Sequence, residues 1–399
     1  MYDKFNFNAI SCGGNFADFS RTKERCGILE TPHGVVETPA FIFCGTKASV
    51  KGVSPQQLME AQTQIILSNT YHLFSYPGSE YIKKRGGLHK FMGWNGPMLT
   101  DSGGFQIFSL GLGSVADEIK GKRSGVSSLL KIDEDGATFR SYWDGSTQIL
   151  TPEKSMEIQK NLGADFIVAF DECTPFHGDK KYTELSMERS HRWEKRSLGE
   201  FICRDDGSQA LYGIVHGGVH ADLRKHSAEF INDHAFFATA IGGTLGSTKS
   251  QMYEVIEMAT THINAARPIH LLGIGGISDI FVGVSLGIDT FDCVHPTRIA
   301  RHGGALVKRA FRDSPTREHI NLKRSEYEHD DNPIELDCDC ATCQVFSRAY
   351  LHYLLKASEL LALHAINIHN IRFMNRLMKE IRNTIKNSGS LKELRTIWC

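Results

Sequence analysis

The 399-residue chain contains no run of eighteen uninterrupted apolar residues, and its start, "MYDKFNFNAISCGGNF", has no basic stretch leading into an apolar core. Membrane insertion and export are therefore not expected, and the chain is assigned to the cytoplasm. Excess charge of one sign is missing as well: the formal net charge is -1, so overall charge argues for no anionic partner and only a local patch could. No internal repeat or low-complexity segment occurs, which sets repeat architectures aside. Cysteine is used sparingly, ten residues in all. In a reducing compartment a disulfide framework is not expected, and a tight cysteine cluster points to a metal instead. What remains, 41% hydrophobic and 23% charged, suits one large barrel-type domain or two or three smaller ones.

Eight short apolar runs are present, each breaking into small or polar residues: "TPAFIFCGT", "QIILSNTYH", "GPMLTDSGG", "DFIVAFDEC", "ALYGIVHGG", "FFATAIGGT", "PIHLLGIGG" and "IDTFDCVHP". Near-continuous apolar runs suit strands buried on both faces of a parallel sheet, and helical patterns lie between several of them. Eight strand-helix units predict an α/β fold, a (β/α)8 TIM barrel, with a doubly wound open sheet as the alternative. The residues that end the runs would then gather at one rim: Asn69, Asp101, Asp171, Glu172, His216, Gly243 and Asp292. About sixty residues separate the third run from the fourth, and "SSLLKIDEDGATFRSYWDGSTQIL" alternates like a hairpin. The expected organisation is a catalytic barrel over 1-320 with a β-hairpin insertion near 110-150, and a zinc-binding helical subdomain over 321-399 packed on the barrel.

The subdomain is inferred from "CDCATC". Cys338, Cys340 and Cys343 form a strong metal signal in a cytosolic chain, with zinc its commonest occupant. His352, His364 and His369 are the downstream candidates for a fourth ligand. On one straight helix His369 would lie roughly 39 Å from Cys343. A reversal near Ser358 and Glu359, with Ser358 as N-cap of the return helix, brings His369 back level with the cysteines and leaves His364 about a turn short. Three thiolates and an imidazole would close the coordination, making the Zn2+ structural and placing the chemistry elsewhere. "RIARHGGALVKRAFRDSPTR", Arg298 to Arg317, holds six Lys or Arg against one Asp. It reads either as a footprint for a phosphate backbone or as a solvated face. "GIGG", Gly273 to Gly276, lacks the full GxGxxG pattern and reads as a rim loop.

Two rim carboxylates can divide labour at a sugar, one attacking the anomeric carbon and the other moving protons. "TDSGGFQ" sets Asp101 beside Gly103 and Gly104, which let a flat ligand approach the backbone, and "FDCVHPTR" sets Asp292 on the last strand. With these residues the chain resembles the queuine tRNA-ribosyltransferases, or tRNA-guanine transglycosylases, over nearly its whole length, through "SNTYHL", "MLTDSGGFQ", "FDECTP", "FDCVHPTRIARHG" and "CDCATC" with His369 in "IHN". The resemblance implies a zinc-bearing barrel that exchanges the wobble guanine of GU(N) anticodon tRNAs for a 7-deazaguanine base, with no nucleotide or redox cofactor, and a homodimer. It makes Asp292 the nucleophile and Asp101 the general acid/base. It gathers Ser102, Gly103, Gly104, Phe105, Asp171, Cys173, His216, Gly243, Thr244 and Gly246 around the base, and Gly273, Gly275, Asp279, Thr297, Arg298 and Arg301 on the RNA. A non-catalytic accessory subunit need not keep the three aspartates, and a purely RNA-binding zinc module is the alternative of a different class.

Two departures from the bacterial pattern bear on the base. "GIVHGG" puts His216 where Gln is usual, and its imidazole is expected to make base affinity vary near pH 5.5 to 7.5. "GGTLGST" puts Thr244 and Gly246 where Leu and Val are usual. Eukaryotic members that use queuine resemble this chain in that glycine, so queuine rather than its 7-aminomethyl-7-deazaguanine precursor is the expected substrate.

Overall fold

The computed structural model describes residues 1–11, 23–112, 128–174, 178–314 and 316–399. Eight strands close into a barrel: β1 (Ala40–Cys44), β2 (Ile66–Ser68), β3 (Met98–Thr100), β4 (Phe166–Val168), β5 (Ala210–Val215), β6 (Ala238–Ile241), β7 (Ile269–Leu271) and β8 (Thr290–Cys293). All neighbours pair in parallel, and β8 returns to β1 with Asp292 opposite Ile42. Each strand coincides with one of the eight apolar runs. Alternation along the strands explains why the runs are apolar throughout: Ala40, Ile42 and Cys44 belong to the inner cluster with Leu67, Leu99, Val168 and Tyr212. Phe41 and Phe43 belong to the outer one, against the helices.

The strand bottoms are covered by an antiparallel sheet of Asn6–Ser11, Arg25–Thr31 and Gly34–Thr38. Arg25 donates to Asp289 just ahead of β8, at 2.9 Å from Oδ1, and His33 lies 2.6 Å from the buried Asp165 just ahead of β4. The opposite end is left for the site. The segment expected as a hairpin carries three antiparallel strands, Leu129–Ile132, Ala137–Arg140 and Thr147–Leu150. The third strand exists because Leu150 can join Ala137 and Phe139 in the core. Residues 113–127 of the expected insertion lie outside the described residues.

Near the C-terminus, helix α1 (Arg348–Lys356) reverses into helix α2 (Leu360–Lys386). Ser358 has φ +59. The reversal needs that left-handed residue, so Glu359 rather than the expected Ser358 stands at the N-cap of α2, without a side-chain cap. Leu377, Met378, Ile381 and Ile385 of α2 share a core with Phe41 and Phe43, and Arg382 donates to the Pro39 carbonyl at 2.8 Å. The helix is thus part of the barrel wall. Among the described residues no helix is long and apolar enough to cross a membrane.

Candidate active site and metal centre

Because the strands are parallel, residues following them meet at one mouth. Asn69 follows β2 directly, Asp101 follows β3, His216 follows β5, Gly243 and Gly273 stand two residues beyond β6 and β7, and Asp292 lies within β8. Asp101 accepts from Asn69 Nδ2 at 2.5 Å and Gln106 Nε2 at 2.7 Å on Oδ2, and from the Thr70 amide at 2.8 Å on Oδ1. Burial nevertheless pushes its carboxyl up to about 6, with the Asp292 charge adding to the rise. Three donors and a raised pKa make it a group that can both hold and release a proton near neutrality.

Asp292 is surrounded differently. Its Oδ1 accepts from the Gly273 amide at 2.8 Å and lies 3.3 Å from Nε2 of His270. Its Oδ2 has the Cys44 thiol at 3.7 Å, a weak donor. One oxygen is held and the other is the freer to react.

Asp171, three residues beyond β4, takes the Ser102 hydroxyl on Oδ1 at 2.9 Å. Burial raises it to about 7, and the Asp101 charge contributes. Its Oδ2 is 3.5 Å from His216 Nε2, yet neither ring nitrogen of His216 makes a hydrogen bond. His216 is only 1% exposed, and burial pushes it down to about 3, helped by the Arg224 charge. The expected titration of His216 between pH 5.5 and 7.5 is therefore overturned: a sealed imidazole beside a buried guanidinium stays neutral there, and Asp171 is the group that titrates.

The glycines have definite causes. A Cβ on Gly104 would meet the Asp171 carbonyl at 2.5 Å, and Gly243 has φ +70 with a hypothetical Cβ 3.3 Å from His216 Nδ1. Gly103 likewise has positive φ, and Phe105 projects exposed beside it. Cys173 is half-buried two residues past Asp171. Thr244 already donates its hydroxyl to the Thr174 carbonyl at 2.9 Å. Gly246 has φ +100, and a Cβ there would meet the Gln251 side chain at 2.6 Å. The backbone conformation is what demands glycine, since the end of the Gln251 side chain could swing aside. Glu172 is taken up by Tyr182 at 2.8 Å and Arg189 at 2.6 Å, a structural pair.

The residues expected on RNA divide. Arg298 is exposed and Arg301 half-buried, bonded to the Thr297 carbonyl. Thr297 is buried, its hydroxyl on Val294. Asp279 is buried and accepts from Lys249 at 2.9 Å and Tyr253 at 2.7 Å. A Cβ on Gly275 would strike Cys293 at 2.5 Å, so that glycine serves packing. Within the basic segment, Lys308 pairs with Asp337 at 2.7 Å and Arg312 holds backbone carbonyls at Val307, Trp398 and Cys399. The footprint available to phosphates narrows to Arg298, Arg301, Arg309 and Arg317. Gln106, His270 and Cys44 were not singled out from sequence, although a histidine inside the apolar run "PIHLLG" is a signal that could have been taken.

The thiols converge with His369. Nδ1 lies 3.6 Å from Cys338 and Cys340 Sγ and 3.3 Å from Cys343 Sγ, all four residues buried. Ligands about 2.3 Å (sulfur) and 2.0 Å (nitrogen) from a tetrahedral ion stand roughly 3.5 Å apart, so the set fits a metal. His369 Nε2 is 2.7 Å from the Leu306 carbonyl, which fixes the tautomer that leaves Nδ1 for the ion. The other candidates are used elsewhere: His352 bonds the Leu322 carbonyl and His364 lies on Gly52.

A model of the family described as "Queuine tRNA-ribosyltransferase" matches residues 19–399. Proteins of that name are similar in Roseiflexus sp. (strain RS-1), at 46% identity with 94% of this chain and 96% of the relative covered. Those of Caldanaerobacter subterraneus subsp. tengcongensis, at 46% over 94% and 93%, and of Nostoc sp., at 44% over 97% and 96%, match similarly. A family match over residues 19–399 together with relatives 46% identical over 94% of the chain means that the chain belongs to the queuine tRNA-ribosyltransferase family.

Proposed function

We propose that this tRNA-guanine transglycosylase exchanges the wobble guanine of GU(N) tRNAs for queuine by double displacement, with Asp292 as nucleophile and Asp101 as general acid/base. The observation that carries the reading is the contrast between the two carboxylates. Asp292 offers one oxygen held by an amide and one nearly free, whereas Asp101 is fully hydrogen-bonded yet lifted to about 6. In the first step Asp292 Oδ2 bonds to ribose C1′ as the C1′–N9 bond breaks, and guanine leaves with a proton supplied through Asp101. In the second, Asp101 takes the N9 proton of the incoming base, the new C1′–N9 bond forms, and the electron pair returns to Asp292. An unstacked anticodon nucleotide reaches this pocket at little cost because the loop is single-stranded.

Ser102, Asp171 and His216 would hold the base edge, with Gly104 and Gly243 letting its plane lie against backbone; Phe105 would flank it. Arg298 and Arg301 would grip the anticodon phosphates. Zn2+ on Cys338, Cys340, Cys343 and His369 would hold the segment 321–399 against the catalytic barrel, and the molecule would work as a cytoplasmic homodimer. The 7-aminomethyl precursor is the second reading of the incoming base. Queuine is favoured by Gly246, which eukaryotic members that use queuine share and whose φ of +100 disfavours the valine usual in bacterial members.

Two measurements test this. Asp292→Asn should bind tRNA yet form no denaturant-resistant complex and exchange no guanine; normal exchange would remove Asp292 from the chemistry. In a competition for guanine-labelled tRNA, queuine should be consumed in preference to the precursor, and a preference for the precursor would refute the substrate assignment.

A further inference from the structure

His270 is a fully buried imidazole in the middle of β7, on a strand otherwise apolar. Burial of such a ring demands partners for both nitrogens. Nδ1 lies 2.9 Å from the hydroxyl of Thr290, its register neighbour across the β7–β8 pair. Nε2 is 3.3 Å from Asp292 Oδ1 but off the line of a hydrogen bond, so it makes none. Thr290 and Asp292 are two residues apart on β8 and therefore face the same way. If the Thr290 hydroxyl donates to Nδ1, the ring proton sits on Nε2, beside the carboxylate but not yet in line with it.

We propose that His270 is a positioning residue whose Nε2–H, oriented by Thr290, stabilises the Asp292 carboxylate as the leaving group of the second step. The proposal rests on the nucleophile reading above. While Oδ2 is bonded to C1′, Oδ1 is an ester carbonyl held by the Gly273 amide, and the Nε2 contact stays slack. When the C1′–Oδ2 bond breaks, the electron pair passes to the carboxylate and negative charge spreads onto Oδ1. A donor 3.3 Å away then closes on it, as donors in resting sites tighten once charge develops. A donor to the ionised carboxylate also tempers its attack on C1′. Losing His270 should thus slow departure of the enzyme from the sugar without slowing attack. A residue that merely packs would have no reason to separate the two steps.

Wild type, His270→Leu, His270→Gln and Thr290→Val are compared with anticodon-labelled tRNA. Formation of the denaturant-resistant complex and its decay on adding a 7-deazaguanine base are timed separately. In His270→Leu, formation should be at least as fast as in wild type and decay roughly tenfold slower, the weight of one hydrogen bond to a charged group. The complex would then accumulate at steady state. His270→Gln, which keeps an N–H donor, should restore decay towards wild type. Thr290→Val, which keeps the imidazole and nearly its neighbour's shape, should slow decay by a smaller factor. It stands in for His270→Leu should that variant not fold. Unchanged decay in His270→Leu, equal loss in both steps, equal defects in the Leu and Gln variants, or no shift in Thr290→Val would each overturn the proposal. A wild-type protein that forms no resistant complex at all would instead refute the nucleophile reading, and this inference with it.

Discussion

At Asp171 and His216 the pH dependence of the site moves from one residue to its neighbour. His216 is neutral above about pH 3, so its charge does not change through the physiological range. Asp171 is raised by burial first and the Asp101 charge second, to about 7. An ionised Asp171 accepts from the N–H edge of a purine, whereas the protonated acid offers fewer acceptors. Base affinity should therefore rise with pH through about 7 and fall about tenfold for each unit below it. Asp171→Asn should flatten that profile in a titration of base binding, and an unaltered profile would exclude Asp171 as its source. The same shift has a sign for stability. A carboxyl raised above its unfolded value contributes stability that is complete at low pH and is lost as pH rises through about 7. Asp171→Asn should accordingly raise the melting temperature at pH 8, by the equivalent of roughly 1–3 kcal/mol, and by much less at pH 5. The ionised form of Asp171 is thus one the fold tolerates at a cost.

Helix α2 links the thiol cluster to the barrel wall beside the strand that carries Asp292. Its first turns bring His369 to the thiols, and its later turns lay Leu377, Met378 and Ile381 against Phe41 and Phe43 of β1. Strand β1 in turn pairs with β8, where Asp292 sits. Removal of a ligand should therefore be felt beyond the 338–343 segment. Cys340→Ser and His369→Ala are expected to lose zinc and about 3 kcal/mol or more of stability, with activity falling through loosened packing rather than through a missing reactive group. Metal analysis paired with thermal denaturation checks this. Full occupancy in His369→Ala would show that a different residue completes the set. The reversal itself was readable in outline from the distances that a straight helix would impose. Its cap residue was not, because the need for a left-handed backbone at Ser358 depends on where α1 ends.

Over the whole molecule, the eight barrel strands and the polar residues that end them were legible in sequence, because a strand buried on both faces must be apolar almost throughout and must break at a rim. The thiol cluster was legible because three cysteines at C-x-C-x-x-C spacing suit a metal better than most other uses. Tertiary structure decided which polar groups stay available. Sequence cannot tell an arginine in water from Arg312, spent on backbone carbonyls, nor a ribose-facing acid from Asp279, enclosed by Lys249 and Tyr253. It decided that Gly246 answers to a backbone φ of +100, that His216 is sealed and neutral, and that His270 lies beside Asp292 from the next strand. These outcomes share a cause. Type and order of elements follow from local hydrophobic pattern, but burial, charge state and pairing depend on neighbours that the closing barrel brings together from distant parts of the chain.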